Sequence, residues 1–529
     1  MLDLKRLRPV GEFRSVDRAM ELLLEHRHDR IVIFGDFDAD GATSTALMVL
    51  CLRDFGFSDV DFFIPDRFEL GYGLTSEAVR CVAARNPALI VTVDNGITSV
   101  AGVEDARASG IDVLITDHHL AGSELPRANA IVNPNLPGDT FEGKHLAGVG
   151  VAFYLLAALG RAVGNKSAVA RYLDLVALGT MADVVHLDQS NRVLIHEGLR
   201  RIRAGVGRPG LRALCKVSGI EPSNLRSSAL AYQIAPRLNA AGRLEDMAIG
   251  VRCLLSDSEH EAQRLASKLD ALNRERRVIE SQMRAEALEI VSTQEALSEG
   301  AIPPVVCIYR QDWHEGVVGL IASRIKDRYH RPVVAFARTA AGTLKGSGRS
   351  VPGFHIRDAL AAVDATEPGL IERFGGHAMA AGLTLRADAL ERFTATLQQI
   401  GEQRLSPELL TGRILTDGEL APEHFTIEVA QILRDAGPWG QGFPEPSFDG
   451  IFELLEQRIV GQAHLKMTLR GAAGQQTLGA IAFNQAGRDL TPGQAVQLVF
   501  RLEIDDYRAQ PSVQLVVEHL CTDVASQLA

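Results

Sequence analysis

Residues 31–41, with the sequence IVIFGDFDADG, decide the fold class of this chain and point to its chemistry. The apolar residues 31–34 predict a short buried strand. Three aspartates, Asp36, Asp38 and Asp40, follow at alternating positions. A strand that ends in acidic residues and leads into a helix is typical of a βα unit, whose polar groups gather at the carboxyl end of the strand.

The first 200 residues repeat this alternation of strand and helix. Further strands are predicted at 61–64, 89–93, 112–115 and 130–132. Helices are predicted between several of them, at 43–55, 76–84 and 100–108. Short apolar strands that alternate with helices indicate a mainly parallel sheet.

Acidic and histidine residues follow the third and fourth predicted strands. Asp94 comes directly after the third strand, and Asp117, His118 and His119 lie just beyond the fourth. Because the carboxyl ends of neighbouring parallel strands meet at one edge of a sheet, we expect these side chains to lie together. A further carboxylate, Asp183, ends a later apolar run.

Six carboxylates on one rim repel one another unless cations neutralise them. Oxygen ligands with an imidazole among them favour Mn²⁺ or Mg²⁺, and Asp38 and Asp40 are spaced to aim at one site. Two such ions would hold a phosphoryl group and activate water. The alternative for each single aspartate is that it only caps the helix that follows.

Other phosphate and hydrolase motifs are missing. The sequence has no G-x-x-x-x-G-K-[ST] loop, no H-E-x-x-H pair and no G-x-S-x-G elbow. The glycine pairs at 71–73 and 148–150 lack the third glycine of a dinucleotide fingerprint. The sequence therefore favours a metal site over a P-loop, a cofactor site or a serine nucleophile.

The rest of the chain divides into segments of different character. Residues 256–295 contain neither Gly nor Pro and predict one long connector helix, with a dimerising coiled coil as the alternative. A second α/β segment follows, and five further strands then predict a small antiparallel barrel, OB-like in strand number. We expect four domains, at 1–200, 201–299, 300–402 and 403–529.

Composition limits the class of protein. The chain has 529 residues with 55 basic and 66 acidic side chains, a net charge of −11, so nucleic-acid contact requires a local basic patch. Residues 198–216 form one, with six basic residues and no acid, either following a DNA backbone or forming a solvated helical face. Six scattered cysteines and no signal or membrane segment predict a cytoplasmic protein, and a monomer is favoured.

The strand-end motifs resemble those of the DHH phosphoesterase superfamily. The resemblance covers the four motifs of the catalytic domain and the GGH motif of its associated DHHA1 domain. These are GDFDADG at 35–41, VDNG at 93–96, DHH at 117–119, ALGTMAD at 177–183 and FGGHAMAAG at 374–382. Further motifs, at 67–73, 236–243, 313–319 and 346–349, are similar to those of the superfamily's bacterial single-strand-specific 5′→3′ DNA exonucleases.

This resemblance implies roles for the rim residues. Asp94, Asp117 and His119 become candidate catalytic residues, with His119 as a charge stabiliser near the scissile phosphate. The implied metal ligands are Asp38, Asp40, Asp94, His118 and Asp183, with Asp36 as an additional candidate. One departure lies at Phe34, where many members of the superfamily carry histidine. Either Asp36 compensates for it or the second ion is held more loosely.

The resemblance also implies a path for DNA. Arg67, Ser347 and Arg349 would hold a 5′-phosphate, and residues 346–349 are predicted to form a small-residue turn around it. Tyr72 would stack on a base, and Arg237 would contact the backbone. His377 is a further candidate for DNA contact. For any one of these residues, the alternative is a structural salt bridge or a structural histidine.

The expected fold is therefore a parallel-sheet DHH domain and a smaller α/β DHHA1 domain joined by a long helix, followed by an OB-like barrel. The expected function is metal-dependent 5′→3′ hydrolysis of single-stranded DNA to 5′-mononucleotides, in repair and recombination. Single-strand-binding protein and a helicase are the implied partners. The alternatives are a phosphoesterase of short oligonucleotides and a non-catalytic replication scaffold.

Overall fold

The structure is a computed structural model that describes residues 2–13, 16–297, 300–471, 476–488, 490–505 and 510–522. It contains two compact units. The first is built from Met1–Leu238, Met247–Ala266 and Ile414–Ala529, and the second from Asn239–Asp246 and Ser267–Arg413.

The first unit contains the predicted parallel sheet. Its five strands are β1 (Arg30–Phe34), β2 (Asp59–Phe63), β3 (Leu89–Val93), β4 (Asp112–Thr116) and β5 (Ala130–Val132). They lie in the order β2-β1-β3-β4-β5, and all neighbouring pairs are parallel. Every residue of β3 is buried, as its unbroken apolar sequence predicts. The strand positions agree with the predicted ones to within two residues.

Helices cover this sheet and continue into the middle of the chain. They are α1 (Val16–Glu25), α2 (Ala39–Asp54), α3 (Ser76–Ala83), α4 (Val100–Ala108), α5 (Gly148–Ala162), α6 (Leu173–Ala182), α7 (Gln189–Arg203), α8 (Pro209–Val217), α9 (Ser227–Ala229), α10 (Ala235–Leu244) and α11 (Ala248–Leu255). A π-helical turn, Leu230–Ile234, joins α9 to α10. The long helix α12 spans Glu259–Leu297, close to its predicted bounds. Short 3-10 turns complete the set, at Leu4–Arg6, Val10–Glu12, Val169–Tyr172, Pro222–Asn224, Ala387–Ala389 and Pro422–His424.

The second unit contains a mixed five-stranded sheet. Its strands are β6 (Val306–Tyr309), β7 (Val333–Arg338), β8 (Leu344–Arg349), β9 (Arg373–Gly376) and β10 (Ala380–Leu385), in the order β6-β7-β8-β10-β9. Helices α13 (Val318–Tyr329), α14 (Ile356–Thr366) and α15 (Leu390–Arg404) accompany it. The predicted turn at 346–349 is wrong, because these residues form the end of β8 and pair with both β7 and β10.

The C-terminal strands form a closed barrel in the first unit, preceded by α16 (Ile427–Ala436). They are β11 (Phe448–Val460), β12 (His464–Gly471), β13 (Thr477–Ala482), β14 (Ala495–Asp505) and β15 (Ser512–Cys521). The prediction of a purely antiparallel barrel is wrong in one place, since β13 and β15 run parallel. That pairing joins strands that are not consecutive in the chain, so hairpin periodicity could not reveal it.

The basic run at 198–216 is largely paired within the fold. Arg200 forms an ion pair with Glu197, and Arg212 forms one with Glu259. Arg208 is the most enclosed of the three, and its guanidinium donates to backbone carbonyls at 254–256 as well as to Asp257. These three cations therefore serve local structure, which disfavours the run as a continuous track for DNA. No described helix is both long and apolar enough to cross a bilayer.

The barrel core offers a direct test of the fold. Phe500 is fully buried and packs against the rings of Phe425, Phe448 and Phe452. Phe500→Ala should lower the free energy of unfolding of the barrel by about 3–5 kcal/mol, because it leaves a cavity. Phe483→Ala removes a ring that is 50% exposed and should cost about 1 kcal/mol or less. Urea denaturation followed by circular dichroism measures both, and equal losses would contradict this barrel packing.

Candidate metal centre

The parallel sheet brings the three strand-end motifs to one rim. Strand β3 lies between β1 and β4, and all three strands run in the same direction. The aspartates after β1, Asp94 after β3 and the Asp-His-His run after β4 therefore meet at the carboxyl edge of the sheet. The fourth motif arrives from a helix, with Asp183 as the C-cap residue of α6.

Two of the first-motif carboxylates are fixed by helix N-termini. Asp38 is the N-cap of α2, and its Oδ1 accepts a hydrogen bond from the Gly41 amide at 3.0 Å. Helix α2 thus begins at Ala39, four residues earlier than predicted. Buried Asp40 accepts hydrogen bonds from the amides of Gly148 at 2.6 Å and Val149 at 3.0 Å, in the first turn of α5. Asp38 therefore caps helix α2, as the alternative predicts, and it also lies among the clustered carboxylates of the rim.

Two glycines, one on α5 and one on α6, allow these two helices to approach the rim carboxylates. A Cβ at Gly148 would lie 2.6 Å from Cβ of Asp94, and a Cβ at Gly179 would lie 2.8 Å from Oδ1 of Asp40. Any larger residue at either position would displace a rim carboxylate. Gly148 belongs to the incomplete dinucleotide fingerprint at 148–150, and its small size was the available signal for this close approach.

Three side-chain atoms of the rim converge without forming hydrogen bonds. Nε2 of His118 lies 3.1 Å from Oδ1 of Asp94 and 3.5 Å from Oδ2 of Asp183. Each of these three atoms is buried, and among the described residues none has a hydrogen-bond partner. Buried polar atoms without partners are costly, and lone pairs that face one point suit a cation.

Three groups of residues at the rim have ligand atoms within 4.8 Å of one another. These groups are Asp94-His118-His119, Asp40-His118-Asp183 and Asp36-Asp38-Asp94. All five implied metal ligands and the additional candidate Asp36 occur in them. Phe34, at the position of the superfamily's histidine, is fully buried in β1 and stacks on Phe63 at 5.8 Å. It belongs to the core of the sheet.

The electrostatics of the rim favour a bound cation. Burial, followed by the charge of neighbouring carboxylates, raises the pKa of Asp36, Asp40 and Asp94 well above the usual value. Burial lowers the pKa of His118, so its imidazole is neutral at pH 7 and offers a lone pair. Carboxylate oxygens with one neutral imidazole form a ligand set that Mn²⁺ and Mg²⁺ accept, so the residues present fit divalent ions of this kind.

His119 has a different environment from His118. Oδ1 of Asp117 lies 2.7 Å from Nδ1 of His119, and Oδ2 of Asp117 accepts the Ile97 amide at 2.9 Å. Burial lowers the pKa of His119, but the hydrogen bond with Asp117 and the charge of nearby carboxylates outweigh it and raise the pKa to about 9. The imidazole therefore carries a proton at neutral pH.

Two asparagines that the sequence analysis missed hold the Asp-His-His run in place. Nδ2 of Asn133 donates to the His119 carbonyl at 2.9 Å, and Nδ2 of Asn135 donates to the His118 carbonyl at 2.6 Å. Both residues follow β5, the next strand along the sheet edge. Their position after a strand was the same signal that identified the aspartates, but an amide carries no charge to draw attention to it.

Two of the predicted DNA contacts lie beside the rim. The hydroxyl of Tyr72 is 3.4 Å from the imidazole nitrogens of His119, and its ring is half-exposed. The guanidinium of Arg67 lies over the ring of Phe37, 4.6 Å from its centroid. Arg237 is elsewhere in the same unit, on α10, where it is 8% exposed and donates to the Gln233 carbonyl at 2.5 Å.

The other predicted DNA contacts lie in the second unit. Nη1 of Arg349 donates to Oγ of Ser347 at 3.1 Å on β8, and His377 is exposed just after β9. Gly319, near the start of α13, was missed as a partner of this pair. A Cβ there would lie 3.0 Å from the Ser347 hydroxyl and 3.1 Å from the Arg349 guanidinium, so glycine leaves both groups room.

Family models match three parts of the chain. The DHH family N-terminal domain matches residues 30–180, the DHHA1 domain 303–403 and the RecJ OB domain 416–519. The single-stranded-DNA-specific exonuclease RecJ of Escherichia coli K12 is 49% identical, over 98% of this chain and 92% of its own length. RecJ of Bacillus subtilis 168 is 36% identical, over 96% of this chain and 63% of its own length.

Solved structures agree with these matches. RecJ from Thermus thermophilus in complex with Mn²⁺ has a TM-score of 0.81 at 30% identity, covering 98% of this chain and 73% of that protein. An exonuclease RecJ bound to manganese has a TM-score of 0.65 at 34% identity, covering 77% of this chain and 99% of that one.

The sheet, its acidic rim and the matched domains define a DHH-type phosphoesterase fold with a DHHA1 domain and an OB barrel. The predicted fold class is thereby confirmed. Within that class, the chain belongs to the RecJ family of single-stranded-DNA-specific exonucleases.

The charge of the rim predicts that Asp94→Asn stabilises the fold in the absence of metal and weakens the binding of metal. Asp94 has φ +62°, which Asn tolerates well, so Asp94→Asn keeps the backbone and removes a charge. A carboxyl whose pKa is raised on folding loses stability as the pH rises from about 4 through its folded pKa. At pH 7.5 in EDTA we therefore expect Asp94→Asn to raise the melting temperature by a few degrees.

The same variant should bind Mn²⁺ at least tenfold more weakly in calorimetric titration, because it loses a charged ligand. Asp105→Asn, on the exposed face of α4, serves as the control and should change neither quantity. A variant that melts earlier than wild type in EDTA would contradict the repulsion argument.

Proposed function

We propose that this chain is a metal-dependent exonuclease that degrades single-stranded DNA in the 5′→3′ direction and releases 5′-mononucleotides. The observation that carries this proposal is the convergence of Asp94, His118 and Asp183 on one point, through buried atoms that have no hydrogen-bond partner in the described part of the chain. Relatives at 36–49% identity that bear the name of a single-stranded-DNA-specific exonuclease supply the substrate class.

Two divalent ions, Mn²⁺ or Mg²⁺, are the proposed cofactors. The residues that would hold them are Asp38, Asp40, Asp94, His118 and Asp183, with Asp36 as an additional ligand. When bound, such ions polarise a phosphodiester and activate water for attack on phosphorus. Burial of the carboxylates keeps bulk water from screening this interaction.

The protein's own residues orient His119 and stabilise the charge that develops on the phosphate. Asp117 is fixed by the Ile97 amide and holds the imidazole of His119 through Nδ1. A pKa of about 9 keeps His119 charged at neutral pH, so it can stabilise negative charge that develops on the scissile phosphate. Asp94 and Asp117 act in this scheme as the catalytic carboxylates.

Contacts with the DNA strand are proposed for six residues, Arg67, Tyr72, Arg237, Ser347, Arg349 and His377. Tyr72 stacks on a base beside the metal centre, and Arg237 contacts the DNA backbone. By the family resemblance, Arg67, Ser347 and Arg349 are each proposed as contacts for the 5′-phosphate, a role that guanidinium and hydroxyl groups suit well. The exposed imidazole of His377 adds a further contact.

The biological setting is part of the proposal. The family implies a role in DNA repair and recombination in the cytoplasm. It also implies single-strand-binding protein and a helicase as partners. The chain is proposed to act as a monomer. We keep the four-domain division at 1–200, 201–299, 300–402 and 403–529, which the matched domains at 30–180, 303–403 and 416–519 support.

Digestion of 5′-phosphorylated, 3′-labelled single-stranded DNA tests the reaction. With Mn²⁺ or Mg²⁺ we expect progressive shortening from the 5′ end and release of mononucleotides. The activity should be abolished by EDTA and reduced at least a hundredfold in Asp94→Asn, with Asp105→Asn as the control. Blunt duplex should resist digestion.

Other outcomes distinguish the alternatives. Faster cleavage of dinucleotides than of long strands would favour a phosphoesterase of short oligonucleotides. Absence of both cleavage and Mn²⁺ binding would favour a scaffold. Efficient digestion of blunt duplex without a helicase would contradict single-strand specificity.

The 5′-phosphate contact has its own test. Arg349→Gln should reduce kcat/KM on 5′-phosphorylated strands about 10–100-fold, because one charge-assisted hydrogen bond contributes about 1.5–3 kcal/mol. The loss on 5′-hydroxyl strands should be much smaller. Arg338→Gln, on the exposed end of neighbouring β7, is the matched control. An unchanged preference for phosphorylated ends in Arg349→Gln would refute the contact.

A further inference from the structure

The backbone directly after Asp183 is held in an unfavourable conformation. Val184 has φ +60° and is 59% exposed. A β-branched residue is rarely found in this region, and such strain persists only where the surroundings fix the chain on both sides. The contacts that fix residues 184–187 therefore also determine where the carboxylate of Asp183 points.

One side of this loop is held by the N-terminal part of the chain. Nδ2 of Asn191 donates to the carbonyl of His186 at 2.9 Å and to the carbonyl of His145 at 2.6 Å. The imidazoles of His145 and His186 lie 4.7 Å apart between ring centroids. These contacts involve only residues close to the metal centre in sequence.

The other side is held by a segment far along the chain. Residues 437–443 connect α16 to the barrel, and we refer to them as the docking segment. The Leu187 amide donates to the Gln441 carbonyl at 2.7 Å. A Cβ at Gly440 would lie 2.7 Å from Cδ1 of buried Leu187, so any larger residue at this position would push the Leu187 side chain aside.

Aromatic stacking braces the docking segment. The guanidinium of Arg192, on α7, lies 3.7 Å from the ring centroid of Phe443, and Phe443 stacks on Trp439 at 4.9 Å. Arg192 also donates to the Ala436 carbonyl at 3.2 Å, and the Trp439 indole donates to the Leu433 carbonyl at 2.9 Å. Both ends of the segment are therefore anchored independently of the Leu187 contact.

We propose that the docking segment is a positioning element that holds Asp183 in its metal-binding place through Leu187, with Gly440 and Arg192 as its principal positioning residues. None of these residues belongs to the three groups of possible metal ligands found in the described part of the chain. The loop carries the effect, because Leu187 lies four residues after Asp183 and the strained Val184 lies between them. This inference rests on the proposed metal role of Asp183.

Calorimetric titration of the full chain with Mn²⁺ tests the proposal. Gly440→Val should weaken Mn²⁺ binding at least tenfold, because the new side chain displaces Leu187. Gly479→Val is the matched control, because a Cβ at that position of strand β13 would meet no neighbouring atom. This variant should keep its Mn²⁺ affinity within twofold of wild type. In a Leu187→Ala background the same Gly440→Val change should cost less than threefold, because the smaller residue leaves room.

Arg192→Leu gives a second measurement that does not depend on how Gly440→Val folds, and it should weaken binding at least threefold. Melting in EDTA verifies that each variant is folded. Wild-type affinity in both Gly440→Val and Arg192→Leu would overturn the proposal, as would a tenfold cost that persists in the Leu187→Ala background. If wild type itself binds no Mn²⁺, the proposed metal function fails first and this inference falls with it.

Discussion

The mutual repulsion of buried carboxylates is the constraint on which the rest of the first unit depends. Asp36, Asp40 and Asp94 lie at one rim, and burial, followed by the charge of neighbouring carboxylates such as Asp38, raises the pKa of each. Backbone amides at the start of α2 and α5 compensate for part of this charge, because the positive end of a helix dipole favours a carboxylate. The rim atoms that have no hydrogen-bond partner among the described residues mark where a cation would neutralise the remaining charge.

That constraint also explains where small residues occur. Gly148 and Gly179 contact the rim carboxylates so closely that a methyl group would displace them. In the second unit, a Cβ at Gly319 would lie 3.0 Å from the Ser347 hydroxyl and 3.1 Å from the Arg349 guanidinium, a tight contact. Gly179 lies inside α6, where glycine lowers helix stability by roughly 1 kcal/mol relative to alanine. The fold accepts that cost in order to bring backbone close to charged groups.

The sequence predicted most of this architecture, and the failures have physical reasons. Strand ends are encoded locally, in apolar runs followed by polar residues, so the rim from Asp36 to His119 could be derived without the structure. The parallel pairing of β13 with β15 depends on a crossover that no local pattern records. Residues 346–349 look like a turn because they are small and polar, yet hydrogen bonds on both sides make them a strand. The contact of Leu187 with Gln441 joins residues that no motif links.

The order of segments along the chain has a consequence for how the protein is made. The second unit is inserted between the parts of the first, because Ser267–Arg413 precede Ile414 and the barrel. Synthesis from the N-terminus therefore finishes the inserted unit while the first unit still lacks its last part. A nascent chain at that stage already carries every carboxylate and histidine of the rim, but Leu187 and Arg192 have no Gln441 or Phe443 to contact. The docking segment is thus synthesised after both the rim residues and the inserted unit, and only then can the contacts around Asp183 be completed.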